Sequence, residues 1–358
     1  MRVSAKATMR QNEPRLSRGP FCRVPPWFVA LLYLFGAAAL IPCSHGTTDQ
    51  AKVRVYTEST FPRNTPPGPA EVVAALAAGP DSNHLPHIDA KRAFEYTREV
   101  TAFGPRYMGS ENHKKLERYI LDHLKDDQVE DDAFTADTVE GKFPVRNIIA
   151  KFPGKKEGII AILGHYDTNY PLRNTGYVGA NDGGSSTAIL LEFANQLRGK
   201  TPRDGYSVWL VWTDGEEAVR QWSDTDSLYG TRHLAEKWEK DGTLKKIKAL
   251  LVMDMIGDAD LDIQRETNST PWLLDLIYAA AQRGGYQSHF YAMQGAIEDD
   301  HIPFVRRGVP CADVIDLDYG YNNVFHHTPQ DTMDKLSPKS LDIVGNTILE
   351  TVRMLDQR

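Results

Sequence analysis

Apolar positions along the chain follow two different periods. From residue 88 onward they recur at helical spacing through Ala90–Thr101 and again through Glu111–Leu124. The pattern then changes to apolar runs, each closed by a loop rich in acids: Val145–Phe152, Gly158–Gly164 (GIIAILG), Tyr206–Trp212, Ala249–Met255 (ALLVMDM) and Ala312–Leu317. Short apolar runs bounded in this way predict strands buried on both faces. Helical spacing returns between and after them, at Ser185–Leu197, Ser227–Lys240, Trp272–Arg283 and Lys339–Leu355. This succession predicts one α/β domain over residues 87–358. Its centre is a mixed, mostly parallel sheet flanked by helices on both faces. In such a sheet, ligands are expected in the crevice at the carboxyl ends of the strands.

Residues 1–86 lack this pattern. A basic stretch reaches Arg23, an apolar run extends from Trp27 to Ile41, and Pro42, Cys43, Ser44, His45 and Gly46 follow. The run is shorter than the ~20 apolar residues of a membrane span. Its length suits the apolar region of a signal peptide, with Ser44 and Gly46 as small residues before a cleavage point. The first 46 residues therefore predict a signal peptide, or alternatively an uncleaved signal anchor. Either one exports the body, which is secreted, periplasmic, or held at the membrane through residues 27–41. Residues 47–86 are rich in Pro, Gly and polar residues around Thr65-Pro66-Pro67-Gly68-Pro69. They predict a linker or N-terminal arm with a short helix at Glu71–Ala78.

Composition adds two exclusions. Residues 1–46 hold six basic residues and one acid, so the remainder carries a formal charge of −12 against −7 for the whole chain. A body that acidic repels phosphate backbones, and no nucleic-acid partner is expected. Two of the three cysteines, Cys22 and Cys43, lie in the targeting segment. Cys311 is left without an internal disulfide partner and reads as a small buried hydrophobe. Nothing in the sequence fixes an oligomeric state.

The predicted strand ends carry the chemistry. The second strand runs into His165-Tyr166-Asp167, and the loop beyond it reaches Asp182 within Gly-Ala-Asn-Asp-Gly-Gly just before a helix. The third strand ends in Asp214-Gly215-Glu216-Glu217, the fourth carries Asp254, and a late loop brings His326-His327-Thr328-Pro329. A single acid at a strand end is equally a helix cap or a solvated charge. Five such ends in one sheet would converge and repel one another unless a cation held them. Mixed imidazole and carboxylate donors suit zinc, and three protein ligands leave a position open for substrate or water. Adjacent carboxylates such as Glu216 and Glu217 point in different directions. One of them can bind metal while the other carries protons. No Gly-x-Ser-x-Gly elbow is present for a serine nucleophile.

The ordered set His165-x-Asp167, Gly-Ala-Asn-Asp182-Gly, Glu216-Glu217, Asp254 and His327-Thr-Pro resembles the zinc aminopeptidase superfamily that includes peptidase family M28. Two further segments resemble animal-type glutaminyl cyclases. One is Asp214-Gly-Glu-Glu-Ala-x-x-x-Trp222 with Asp226-Ser-Leu-Tyr-Gly-Thr-Arg-His-Leu-Ala235; the other is Asp299-Asp300-His301-Ile-Pro-Phe. The resemblance implies a zinc enzyme that cyclises N-terminal glutamine of peptides or proteins to pyroglutamate, releasing ammonia. It further implies one Zn²⁺ on Asp182, Glu217 and His327, with Glu216 as proton shuttle. Asp254 and Asp299 would join Glu216 in a hydrogen-bonded acid network, and Trp222 would wall the substrate pocket. Asp167 and Asp300 would orient neighbours, and His233 and His301 would be structural.

Four departures from the cyclase pattern bear on substrate fit. Phe325-His326 stands where a Trp precedes the last zinc histidine, which makes Phe325 and His326 the candidate substrate contacts there and His326 a competing ligand. The loop before them is longer, with Tyr319 and Tyr321 as substitutes for the indole. Asp313 replaces a histidine, and Gly164 and Thr187 occupy the positions of a disulfide pair. Two other readings stay open. A two-zinc aminopeptidase would use His165 and Asp254 for its second metal, and a non-catalytic binding domain would share the fold alone.

Overall fold

The computed structural model describes residues 87–358, and the readings made for residues 1–86 lie outside the described residues. Helix α1 spans Ala90–Ala102 and helix α2 spans Glu111–His123. Both begin where the sequence supplies a cap: Asp89 accepts from the Arg92 N–H and Ser110 from the His113 N–H. Strands β1 (Gln128–Thr138), β2 (Gly141–Phe152) and β3 (Gly154–His165) follow, then α3 (Gly184–Leu197) and β4 (Arg203–Thr213). The chain continues through α4 (Tyr229–Lys240), β5 (Ile247–Asp254), β6 (Ile263–Glu266), α5 (Pro271–Gly284) and β7 (Phe290–Gly295). It ends with the short α6 (Ile302–Val305), β8 (Cys311–Ile315) and the long α7 (Pro338–Asp356).

Six strands form the main sheet in the order β1-β2-β4-β3-β5-β8. The inner pairs β4/β3, β3/β5 and β5/β8 are parallel, while β1/β2 and β2/β4 are antiparallel. The mixed, mostly parallel sheet expected from the sequence is thus present. Side-chain alternation explains why its strands read as unbroken apolar runs. Ile160 and Ile162 of β3 pack with Leu210, Leu251 and helices α1, α3, α5 and α7 on one face. Ile159, Ala161 and Leu163 pack with Val211, Val252, Trp238 of α4 and Phe304 of α6 on the other. Cys311 is buried and free, as its small apolar role requires.

Three strands, β1, β6 and β7, were not legible in the apolar pattern. Strand β1 reads QVEDDAFTADT, and it stands at the sheet edge where ion pairs replace apolar burial. Lys237 of α4 reaches Glu130 at 2.6 Å and Asp132 at 2.8 Å, and Asn147 of β2 also donates to Asp132 at 3.0 Å. Charged edges discourage strand addition by other chains. Strands β6 and β7 form a separate two-stranded parallel sheet and are too short to show a period. Strand β8 also stops at Ile315, earlier than the expected Leu317.

A buried pair ties helix α2 to the end of β4. His113 Nε2 lies 2.7 Å from Asp214, whose other oxygen accepts the Arg146 N–H at 2.8 Å. Burial alone would lower the His113 pKa, but Asp214 and Glu117 outweigh it and raise it to about 10. A histidine raised on folding contributes stability that is complete below its unfolded pKa of about 6.5 and disappears as pH rises through about 10. Thermal unfolding is therefore expected to show stability declining between those limits, by at most about 1.4 kcal/mol per pH unit from this group. In His113→Gln that part of the decline should vanish; an unchanged slope would remove His113 as its source.

Candidate metal centre

Three parallel strands deliver their last residues to one place. His165 ends β3, Asp254 ends β5, and Glu216 and Glu217 lie just beyond β4; all four are buried. Asp182 arrives from the loop before α3, and His327 from the loop between β8 and α7. Asp182 is the hub. Its Oδ1 lies 3.1 Å from His165 Nε2, and its Oδ2 lies 3.3 Å from His327 Nε2. His327 Nε2 is also 3.2 Å from Glu217 Oε1, and His165 Nε2 is 3.2 Å from Asp254 Oδ1.

These spacings have a simple meaning. Zinc–ligand bonds of ~2.0–2.1 Å in tetrahedral arrangement put neighbouring donors about 3.3–3.4 Å apart. The Asp182–His327 and His327–Glu217 contacts match that edge, and so do Asp182–His165 and His165–Asp254; the side chains here whose donor atoms all lie within 4.8 Å of one another are Asp182, His326 and His327 in one group and His165, Asp182 and Asp254 in another. The donor chemistry also fits a cation. Burial alone would lower both histidines, yet both lie well above their ordinary value because carboxylates surround them. The field at the centre is negative, and a divalent cation would satisfy it.

The surrounding chain holds these donors in place. Gly183 adopts φ +72°, and a Cβ there would stand 2.8 Å from the Asp167 carbonyl oxygen and 2.9 Å from the His165 ring. Only glycine lets Asp182 come so close to His165. His327 itself takes a left-handed backbone, φ +52°, as does Met255, φ +50°, immediately after Asp254. Non-glycine residues persist there only when the surroundings enforce it. The backbone of the Asp182 loop is fixed from two sides. The buried Arg106 guanidinium donates to the carbonyls of Gly179 at 2.7 Å and Asp182 at 3.3 Å. Asp331 accepts the N–H groups of Asn181 at 2.8 Å and Asp182 at 3.2 Å. Tyr177 donates its hydroxyl to Asp182 Oδ2, and Asn169 donates to Glu217 Oε2 at 2.8 Å.

Glu216 and Glu217 diverge. Glu217 faces His327, whereas Glu216 Oε2 lies 4.0 Å from His165 Nδ1. Burial, against the opposing His165, together with Glu217, Asp299 and Asp300, pushes Glu216 well above the usual carboxylate range. Asp167 accepts the N–H groups of both glutamates, at 3.2 and 3.4 Å. Asp300 accepts the hydroxyls of Thr213 and Thr231. Both aspartates therefore orient neighbours. The hydrogen-bonded network expected among Glu216, Asp254 and Asp299 takes a different form: no hydrogen bond joins these three side chains. Asp254 turns to His165, and Asp299 accepts the Asp300 N–H. Asp299 is coupled to Glu216 and to Asp254 through charge.

The remaining candidates are dispersed. Trp222 is half-buried and lines a cleft of about 270 Å³ with Ser227, Leu228, Glu298 and Pro303. The segment from Trp222 to Leu228 follows Glu217, and Glu298 precedes Asp299. His326 lies beside His327, with ring centroids 3.9 Å apart, and its Nε2 is 4.0 Å from Asp182. Burial and then His327 push it down to about 3, so it is neutral. Phe325 packs edge-on against Tyr319 at 5.4 Å. Tyr319 does not replace an indole: it is fully buried, and its hydroxyl donates to Asp331 at 2.8 Å. Tyr321 is 85% exposed. His233 stacks on Phe134 at 3.8 Å, a packing role.

Sequence reasoning passed over Arg106, Asn169, Tyr177 and Asp331, which hold the donors without being donors in the motif. Asp331 had one local signal, its position two residues beyond His327-Thr328-Pro329.

Residues 147–352 match the sequence model of peptidase family M28. The chain is 31% identical over 264 residues to the glutaminyl-peptide cyclotransferase of Drosophila melanogaster, covering 66% of this chain and 73% of that protein. Among solved structures, the glutaminyl cyclase of an Acidobacteriales bacterium is 51% identical with a TM-score of 0.75, covering 78% of this chain and 99% of that one. A Zn-dependent exopeptidase from Parabacteroides distasonis is 26% identical with a TM-score of 0.67, covering 75% and 99%.

Support around a metal centre governs its affinity as strongly as the donors do. Asp331→Ala removes the acceptor for two amides of the Asp182 loop. It is expected to weaken zinc binding by about 10–100-fold, as read by competition with a chromogenic chelator. Wild-type affinity in that variant would assign the loop's position to Arg106 alone.

Proposed function

The chain belongs to peptidase family M28 and, within it, to the glutaminyl-peptide cyclotransferases, and on that footing we propose that it cyclises N-terminal glutamine of peptides or proteins with one zinc on Asp182, Glu217 and His327. The observation that carries the reading is the divergence of the two glutamates. Glu217 lies within 3.2 Å of His327, while its neighbour Glu216 faces away from that group, buried and ready to take up a proton. Zinc, when bound, would polarise the side-chain amide carbonyl of glutamine and stabilise the oxyanion that develops there.

The protein's own groups then have little else to do, because the reaction is intramolecular. The α-amine nitrogen of the substrate forms a bond to its side-chain carbonyl carbon, and the bond from that carbon to the amide nitrogen breaks. Glu216 accepts the proton the amine sheds and returns it to the leaving nitrogen, which departs as ammonia. A carboxyl raised by burial suits both halves of that exchange, since it binds a proton readily and still releases it. Asp299 contributes to that elevated proton affinity through its charge. Trp222, Phe325 and His326 would provide walls for a small uncharged side chain. Export rests on residues 1–46.

One specific observation favours a second reading. His165, Asp182 and Asp254 are spaced as a second metal group, the arrangement a two-zinc aminopeptidase would use. The two readings differ in product. A Gln-Xaa peptide is expected to lose one ammonia, in a chelator-sensitive reaction, with no release of free amino acid. Released amino acid without ammonia, and two tightly held zinc ions per chain, would establish the peptidase instead. Glu216→Gln should retain zinc and lose about 10²–10⁴-fold in turnover, whereas Glu217→Ala should lose zinc itself. Near-normal turnover in Glu216→Gln would remove that residue as the proton carrier.

A further inference from the structure

Two neighbouring histidines, His326 and His327, reach the metal centre together, although a three-ligand zinc site needs only His327. In an extended segment successive side chains point to opposite sides. Here the left-handed backbone of His327, φ +52°, is accompanied by rings that lie side by side, with centroids 3.9 Å apart and planes 31° apart. Both offer Nε2 to the same carboxylate oxygen. Asp182 Oδ2 lies 3.3 Å from His327 Nε2 and 4.0 Å from His326 Nε2. Donor atoms of Asp182, His326 and His327 lie within 4.8 Å of one another. Donors held at ~2.0–2.1 Å by one zinc can stand at most ~4.2 Å apart, and both contacts to Asp182 fall inside that span.

His326 also has the outer partner that a metal-bound imidazole requires. Asn323 Nδ2 stands 3.1 Å from its Nδ1. Asn322 and Asn323 take left-handed backbones in succession, φ +56° and +59°, and so bring this amide back to the ring. Asn323 Oδ1 is buried and has no hydrogen-bond partner. A half-turn of the amide exchanges its two polar atoms and gives that oxygen the Nδ1–H as donor. The proton then sits on Nδ1, and the lone pair of Nε2 is left for a metal.

We propose that His326 is a fourth protein ligand of the zinc, capping the resting centre until the carbonyl oxygen of the substrate displaces it. The proposal rests on the zinc site assigned to Asp182, Glu217 and His327. Three protein ligands leave a position open for substrate, whereas four close it. The order of strength decides which imidazole gives way. His327 meets two carboxylates, Asp182 at 3.3 Å and Glu217 at 3.2 Å, whereas His326 meets Asp182 at 4.0 Å. His326 is therefore the donor that leaves.

X-ray absorption at the zinc edge counts imidazole ligands and needs no activity. The wild type carrying one zinc should show two imidazoles. His326→Phe, which keeps a flat ring without a donor, should show one, and His165→Gln should still show two. Zinc affinity, read by competition with a chromogenic chelator, should fall at least about tenfold in His326→Phe. Asn323→Leu, which removes the partner of Nδ1, should lower it in the same direction. At saturating zinc, KM for a Gln-Xaa peptide should fall in His326→Phe, because a capped state reduces apparent affinity. One imidazole in the wild type would overturn the proposal, whatever the variants do. Two imidazoles retained in His326→Phe, one lost in His165→Gln, or a KM that does not fall would also overturn it. Absence of cyclisation in the wild type would instead overturn the function and leave the ligand count standing.

Discussion

Carboxylates brought out of water at one end of a parallel sheet repel one another, and the organisation of this protein answers that repulsion. At an effective dielectric near 20, two unit charges ~4 Å apart interact by about 4 kcal/mol. Asp182, Glu216, Glu217, Asp254, Asp299 and Asp313 are all buried here. Each must be neutralised by a cation, an imidazole or a proton. Asp182 stands between two imidazoles, Glu217 faces His327, and Asp254 faces His165. Glu216, Asp299 and Asp313 have no imidazole at hydrogen-bonding distance and are driven toward protonation. The division between metal-binding and proton-carrying carboxyls is thus set by which of them an imidazole can reach.

That arrangement needs a rigid frame, because a charge that relaxes away from its partner loses its role. Three buried interactions supply it. Arg106 and Asp331 fix the Asp182 loop through its backbone rather than its side chain. His113 and Asp214 fix the turn that leads from β4 to the glutamates. Helix α4 closes against that turn, where a Cβ on Gly230 would sit 2.2 Å from the Asp214 carbonyl oxygen. These contacts act on the backbone that carries the donors, so the geometry of the site depends on groups that are not themselves donors.

The fold was legible because apolar strands and amphipathic helices alternate with distinct periods, and the donors were legible because they end those strands. What escaped the sequence shares a physical cause. Strand β1 is held by Lys237 and Asn147 meeting acids across an edge, and such pairing leaves no apolar period. Arg106 lies well before Asp182 in sequence and reads as an ordinary charge until its four-carbonyl environment is seen. Tyr319 looked like a substrate wall because aromatic side chains near a site usually are, yet its hydroxyl was needed by Asp331. The direct acid network failed for a simpler reason: carboxylates hydrogen-bond one another only where a proton is shared. Asp254 turns instead to His165 and Asp299 accepts the Asp300 N–H, so neither meets Glu216.

This logic also bears on how one scaffold accommodates two chemistries. Asp182 offers one oxygen to each histidine, so the same carboxylate can serve one metal or bridge two. Hydrolysis requires an activated water, and a second cation on His165 and Asp254 would help generate it. Cyclisation requires no water, since the nucleophile is already part of the substrate. It needs only one polarising cation and a carboxyl that can hold a proton. A second cation beside Glu216 would lower its proton affinity and work against that role. Retention of His165 and Asp254 therefore does not by itself imply a second metal. An imidazolium at His165, between Asp182 and Asp254, neutralises the same two carboxylates, and with its single charge it lowers the proton affinity of Glu216 less than a divalent cation would.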